Sequence, residues 1–273
     1  MKTYFKIPLM FAVSLICLLT AGCPRKQKTA LSVVLVCDVS ASIEETARMS
    51  CLKTVNSLLP ILHRGDSLAV VPVTGDAEVE ASGQILRFPI LAQRELYDED
   101  LRRLRAIAEK EIGNLATSAS AHPGEQTDLL GTVRVVAEEL GSLPARQTGV
   151  VIVLTDFIQD DSQFNFNHAP ELANRNSAVT LAANLAHDNP RRFPNTTIYC
   201  GYLKSRDLAK LGRSRREAIQ GFWMEYLKRL GARPQTVVDG PGLLPRFLES
   251  IREPDQSNKD AVADALHGMN LQK

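Results

Sequence analysis

Leu31-Ser32-Val33-Val34-Leu35-Val36-Cys37, followed by Asp38-Val39-Ser40-Ala41-Ser42, is the stretch from which the fold follows. The first seven residues are apolar except for Ser32 and rich in valine, which reads as a strand covered on both faces. A carboxylate and two hydroxyls then stand two residues apart where that strand ends. These are hard oxygen donors with no thiolate or imidazole among them. They suit Mg²⁺, Mn²⁺ or Ca²⁺ and suit Zn²⁺ or copper poorly.

Working outward, strands and helices alternate. A helix is expected from Ile43 to Leu59, stopping before Pro60. Ser67 to Thr74 reads as a second strand despite Pro72, and Gln84 to Ile90 as an edge strand or strand end marked by Pro89. Leu101, Leu104, Ala108, Ile112 and Leu115 fall at helical spacing, and Ser118 to Gln126 reads as polar loop. A further helix begins near Thr127 and buries Leu130, Val133, Val136, Ala137 and Leu140. Val150 to Leu154 is the clearest buried strand, and a long polar loop from Phe157 to Asn176 follows it. A helix over Ser177 to His187, a strand over Thr196 to Leu203 and an aromatic helix around Ile219, Phe222, Trp223 and Tyr226 come next. Gln235 to Val238 and Leu243 to Ile251 read as the last strand and helix. The expected fold class is α/β, a doubly wound and mostly parallel sheet with helices on both faces. In such sheets ligands gather at the carboxyl ends of strands, where strand order reverses. Asp38 and Asp156 each close a strand, and Thr127 enters a helix.

Asp-x-Ser-x-Ser after the first strand, a Thr in a second loop and Thr155-Asp156 after a later strand together resemble a von Willebrand factor A (VWA) domain with a metal-ion-dependent adhesion site. The resemblance implies that Ser40, Ser42 and Thr127 bind the metal directly, and that Asp38 and Asp156 hold it largely through water. Mg²⁺ is the implied ion, since it retains waters readily, with Mn²⁺ or Ca²⁺ as substitutes. Neutral hydroxyl ligands leave positive charge on the ion, and an open position then attracts a carboxylate from a protein partner. The family often has Gly after the third-loop Asp, where this chain has Phe157. Capping of helices by Asp38, Ser40 or Thr127 is the competing account of the same residues.

Upstream, Met1 to Lys6 is basic and Ile7 to Leu19 is apolar, too short to span a bilayer comfortably and fitting a secretory signal. Leu19-Thr20-Ala21-Gly22-Cys23 resembles a bacterial lipobox. This divides the chain into a signal peptide over 1–22, a lipidated Cys23 with a short tether to 30, a domain over 31–252 and a polar tail over 253–273. The implied location is the exported face of a bacterial membrane, the outer membrane if there is one, because Pro24 rather than Asp follows Cys23. The seven residues Pro24 to Ala30 reach about 25 Å when extended. Of the remaining cysteines, Cys37, Cys51 and Cys200, a Cys37–Cys51 bridge and three buried thiols both fit an exported protein.

Lys and Arg number 32 against 31 Asp and Glu, a balance that gives no footing for a nucleic-acid partner. Asp160 and Asp161 could rim the site or coordinate a second ion, with solvated loop charges the readier account, and Phe164 and Phe166 could touch a partner or pack the loop onto the body. Arg64-Gly65-Asp66 resembles an adhesion tripeptide, but a turn before the second strand explains it better. His122 and His168 lack metal-ligand spacing. No nucleophile–base pair accompanies Ser40, so the chain reads as a binding module and not an enzyme. The alternative is a Mg²⁺-dependent phosphoryl-transfer or hydrolytic enzyme on a similar sheet.

Overall fold

The structure, a computed structural model, describes residues 29–77, 84–89, 98–121, 126–141, 147–237 and 244–252. The signal segment, Cys23, the tether before residue 29, His122 and the tail beyond residue 252 lie outside the described residues, as does the side chain of Cys51.

Six strands form one sheet in the order β3-β2-β1-β4-β5-β6. They are β1 (Leu31–Asp38), β2 (Ser67–Val73), β3 (Leu86–Pro89), β4 (Thr148–Thr155), β5 (Thr196–Tyr202) and β6 (Arg233–Val237). All neighbours pair parallel except β3, which runs antiparallel along the edge beside β2. β1 lies between β2 and β4, so strand order reverses there. Pro72 is tolerated inside β2 because β3 pairs only with Ser67 to Val70, so no ladder bond from that side is lost at Pro72.

The helices are α1 (Glu45–Leu58), α2 (Asp98–Ala121), α3 (Leu129–Gly141), α4 (Arg175–Asp188), α5 (Arg206–Lys210), α6 (Arg213–Arg229) and α7 (Leu244–Arg252). Alternate residues of β1 feed two cores. Val34 and Val36 pack with β4 and with α3, α4 and α6, while Leu31, Val33, Leu35 and Cys37 pack with α1, α2 and α7. The doubly wound class expected from the alternation is therefore what the chain forms. Burial of both faces also explains the continuous apolar runs in β1 and β4.

Several local expectations are corrected. Helix α2 continues to Ala121, where polar loop was expected from Ser118; alanine at 119 and 121 keeps helix propensity high despite the serines. Helix α1 starts at Glu45 rather than Ile43, because Ile43 is buried in an isolated bridge with Ser205. The segment after β4 is less polar in fact than in composition. Phe157, Ile158, Gln159, Phe166 and Leu172 are all buried in it. Phe166 meets Phe222 edge-on at 4.9 Å, so it is a core residue and not a partner contact.

Asp66 is likewise structural. It is buried, accepts from Leu31 N at 2.9 Å and His63 N at 2.6 Å, and forms an ion pair with buried Arg252. The tripeptide's Asp is thus turned inward, with Gly65 at φ 92° making the turn. Cys200 is buried, which pushes its thiol up to about 12 and leaves it unreactive.

Candidate functional site

Three loops meet at the carboxyl edge of β1 and β4. Asp38 is the last residue of β1 and has no exposed surface. Its Oδ1 accepts from Ser40 N at 3.0 Å, which folds the following turn back onto the strand end. Its Oδ2 accepts from Thr155 Oγ1 at 2.6 Å, which ties the ends of β1 and β4 together. The turn brings the Ser40 and Ser42 hydroxyls to 3.0 Å from each other. Ser40 is buried, whereas Ser42 is half-buried and reaches an open cleft.

Asp156 follows β4 and is also fully buried. Its Oδ1 accepts from Ile158 N at 2.9 Å. Its Oδ2 is buried without a hydrogen bond. Burial, and after it the charge of Asp38, push the Asp156 carboxyl from an ordinary 3.8 up to about 7, while the nearby Ser205 hydroxyl and the Ile158 amide draw it back in part. A cation between the two carboxylates would let both stay ionised.

Thr127 does not cap a helix. Its backbone pairs with Asp160 in both directions, at 2.8 and 2.9 Å, and so joins the second loop to the segment after β4. Thr127 and Ser42 line the same cleft of about 230 Å³, together with Ile158, Asp160, Arg206 and Lys210. All five residues expected from sequence therefore converge on one edge. The capping account does not apply: α1 begins seven residues after Asp38, and Asp128 caps α3.

The residues that hold this arrangement were not singled out from sequence. Asp128 Oδ1 accepts from Gly131 N at 2.7 Å as N-cap of α3, and its Oδ2 accepts from Ala77 N at 3.2 Å. A Cβ at Gly131 would come within 1.9 Å of Asp128 Oδ2, so glycine is needed there. Gln159, fully buried, is the brace between the two loops. Its Oε1 accepts from Leu129 N and Leu130 N at 2.7 and 2.9 Å, and its Nε2 donates to Asp128 and Asp161 at 3.2 and 2.6 Å. Asp161 also accepts from Gln163 N and Phe164 N, which makes it a turn former and not a rim ligand. The capping spacing of Asp128 was legible; the bonds of Gln159 cross about thirty residues of chain and were not.

Phe157 takes φ 62°, the left-handed conformation that glycine adopts freely. The backbone thus keeps a glycine-like turn with a large side chain in place. The ring packs against Tyr202 at 4.6 Å, and Trp223 Nε1 donates to Phe157 O at 2.8 Å.

The donor set is oxygen only, and among the described residues no group of three His, Cys, Asp or Glu is placed to hold a metal. Two carboxylates with three hydroxyls fit a hard divalent cation that retains water, and the unbonded Asp156 Oδ2 is the atom such a cation or its water satisfies.

No protein-family model matches the chain, and no curated protein matches it. Among solved structures it is similar to a von Willebrand factor type A protein from Catenulispora acidiphila, at 18% identity and TM-score 0.45, over 82% of this chain and 42% of that one. It is similar to the pilus adhesin SpaC of Lactobacillus rhamnosus GG at 10% identity and TM-score 0.46, over 82% of this chain and 30% of that one. A manganese-loaded TRAP protein of Plasmodium vivax is similar at 13% identity and TM-score 0.37, over 72% of this chain and 74% of that one. The chain thus spans less than half the length of the first two. The α/β class itself stands on the chain's own six-stranded, mostly parallel sheet.

Proposed function

We propose that the chain is a binding module that uses a divalent cation, Mg²⁺ in the first instance, to take an acidic group of a protein partner. The observation that carries this reading is the buried, unbonded Asp156 Oδ2 beside the Asp38 carboxylate, at the edge where Ser42 and Thr127 open to the cleft. In this reading Ser40, Ser42 and Thr127 hold the ion by their hydroxyls, and Asp38 and Asp156 hold it largely through water. The bound ion supplies a positive centre with an exchangeable position, which attracts a carboxylate. The chain's own residues do the rest. Thr155 fixes the Asp38 carboxylate, Ile158 N orients Asp156, and Gln159 keeps the Thr127 loop at a set separation.

The lipid anchor at Cys23 and the exported location belong to the same proposal and rest on the lipobox-like sequence. No described helix is long and apolar enough to cross a membrane. The test is titration calorimetry with Mg²⁺ and Mn²⁺ on the wild type and an Asp38→Ala/Ser40→Ala double variant. Folded double variant with unchanged metal affinity would refute the site. Capture of a partner from native membranes that disappears with chelator supports the binding reading, while Mg²⁺-dependent cleavage of a generic phosphate ester that is lost in Asp38→Asn points to the enzyme instead.

A further inference from the structure

We propose that the partner presents two neighbouring acidic groups, and that Arg206 receives the second of them; this rests on the metal reading of the site above. The cleft that Ser42 and Thr127 open into continues over α5. Pockets that enclose a whole small molecule run to roughly 300–1,000 Å³. At about 230 Å³ this cleft takes side chains offered by a partner chain.

The charge in the cleft is unevenly engaged. Lys210 Nζ is engaged by Asp207 at 2.9 Å, although the Asp207 charge still reaches Asp156 and Asp160. Asp160 accepts from Asn165 Nδ2 at 2.7 Å. Arg206 is exposed, and its guanidinium has no hydrogen bond or ion pair among the described residues. Its backbone is nonetheless held. Arg206 N donates to Ser42 O at 3.3 Å, Ser205 pairs with Ile43, and the Ser205 hydroxyl accepts from Leu208 N at 2.9 Å. The backbone therefore ties this cation to the same turn that carries the Ser42 hydroxyl.

A planar guanidinium on the rim of the cleft that Ser42 and Thr127 line is suited to a carboxylate, which it can take with two parallel bonds. Asp160 in the same cleft repels a longer acidic run. The fit is thus for a pair of acids, one at the Asp38–Asp156 edge and one at Arg206.

The experiment uses blocked glycine peptides carrying one Asp, two adjacent Asp, or two Asp separated by one Gly. Each is titrated into the full chain in saturating Mg²⁺ and followed by NMR. One of the two diacidic peptides should bind about three- to ten-fold tighter than the monoacidic peptide, the span between an exposed and a partly desolvated charged contact. Arg206→Ala should abolish that difference while leaving Mg²⁺ affinity and the monoacidic affinity nearly unchanged, and Arg206→Glu should make the diacidic peptide the weaker ligand. No diacidic advantage in the wild type overturns the proposal, as does an advantage that survives in Arg206→Ala. Binding of Mg²⁺ with no binding of any peptide also overturns it and leaves the metal site standing. Failure of Mg²⁺ itself to bind removes the site reading and this inference together.

Discussion

Replacing Asp156 by Asn should stabilise the metal-free protein at alkaline pH. The carboxyl is fully buried and its proton affinity is raised, first by burial and then by Asp38, from 3.8 to about 7. At 1.36 kcal/mol per pKa unit this corresponds to roughly 4 kcal/mol. The sign follows from proton linkage. The folded state holds this proton more tightly than the unfolded state, so the stabilisation is complete below about pH 4 and is lost as pH rises towards 7. Between pH 5 and pH 8 the metal-free wild type should lose roughly 3 kcal/mol from this group alone. Asn keeps the acceptor for Ile158 N and carries no charge to bury. Urea unfolding in chelator at pH 5 and pH 8 measures both effects. The variant should show a flatter profile and exceed the wild type at pH 8. Mg²⁺ at a hundred times its Kd should narrow that gap without closing it, since it stabilises the wild type by about 2.7 kcal/mol against a cost of roughly 4 kcal/mol. A metal-free Asp156→Asn protein that is less stable than wild type at pH 8 would refute the reasoning.

Gln159→Glu keeps the shape of the brace, removes its two donors and sets a carboxylate against Asp128 and Asp161. Mg²⁺ affinity by calorimetry should fall about 10- to 100-fold, as is usual for outer-shell partners, while the far-ultraviolet spectrum stays that of a folded chain. Phe157→Gly relieves a left-handed residue, worth roughly 1–2 kcal/mol, but deletes a buried ring, worth about 3–5 kcal/mol. Net destabilisation of about 2 kcal/mol is expected in urea, and a gain in stability would show that the ring is not the stronger effect. Arg252→Met leaves Asp66 buried without its cation and should lower stability by about 3 kcal/mol, read from the same unfolding curves.

The parts of this molecule legible in its sequence are those written in short-range pattern. The apolar runs of β1 and β4 identify buried strands, and the polar residues just after them identify the edge where Asp38 and Asp156 sit. Thr127 was legible as a loop residue before a helix, though the helix begins at Leu129 and its cap is Asp128. What escaped was long-range. The left-handed Phe157 is held by Tyr202 and Trp223, and nothing around position 157 announces either. Ala-Ser alternation near the end of α2 is compatible with loop or helix. The inward turn of Asp66 depends on Arg252, at the far end of the described fold.

Ala30 immediately precedes β1 and Asp38 ends it, and the eight residues of the strand, at about 3.3 Å each, separate them by roughly 26 Å. The chain enters the sheet beside Asp66, which Arg252 at the end of α7 also meets, at the pole opposite the cleft. An attachment upstream of Thr29 would therefore hold the domain with its cleft facing outward. Pulling between that attachment and a partner gripped at Ser42 would run along β1. The strand is already extended and is laddered to β2 and β4 on both sides, so tension between its two ends passes through its covalent backbone and leaves the hydrogen bonds to its neighbours nearly unloaded. If the edge beyond Asp38 takes a partner, the load of holding on would reach the attachment through this one strand, without unzipping the sheet.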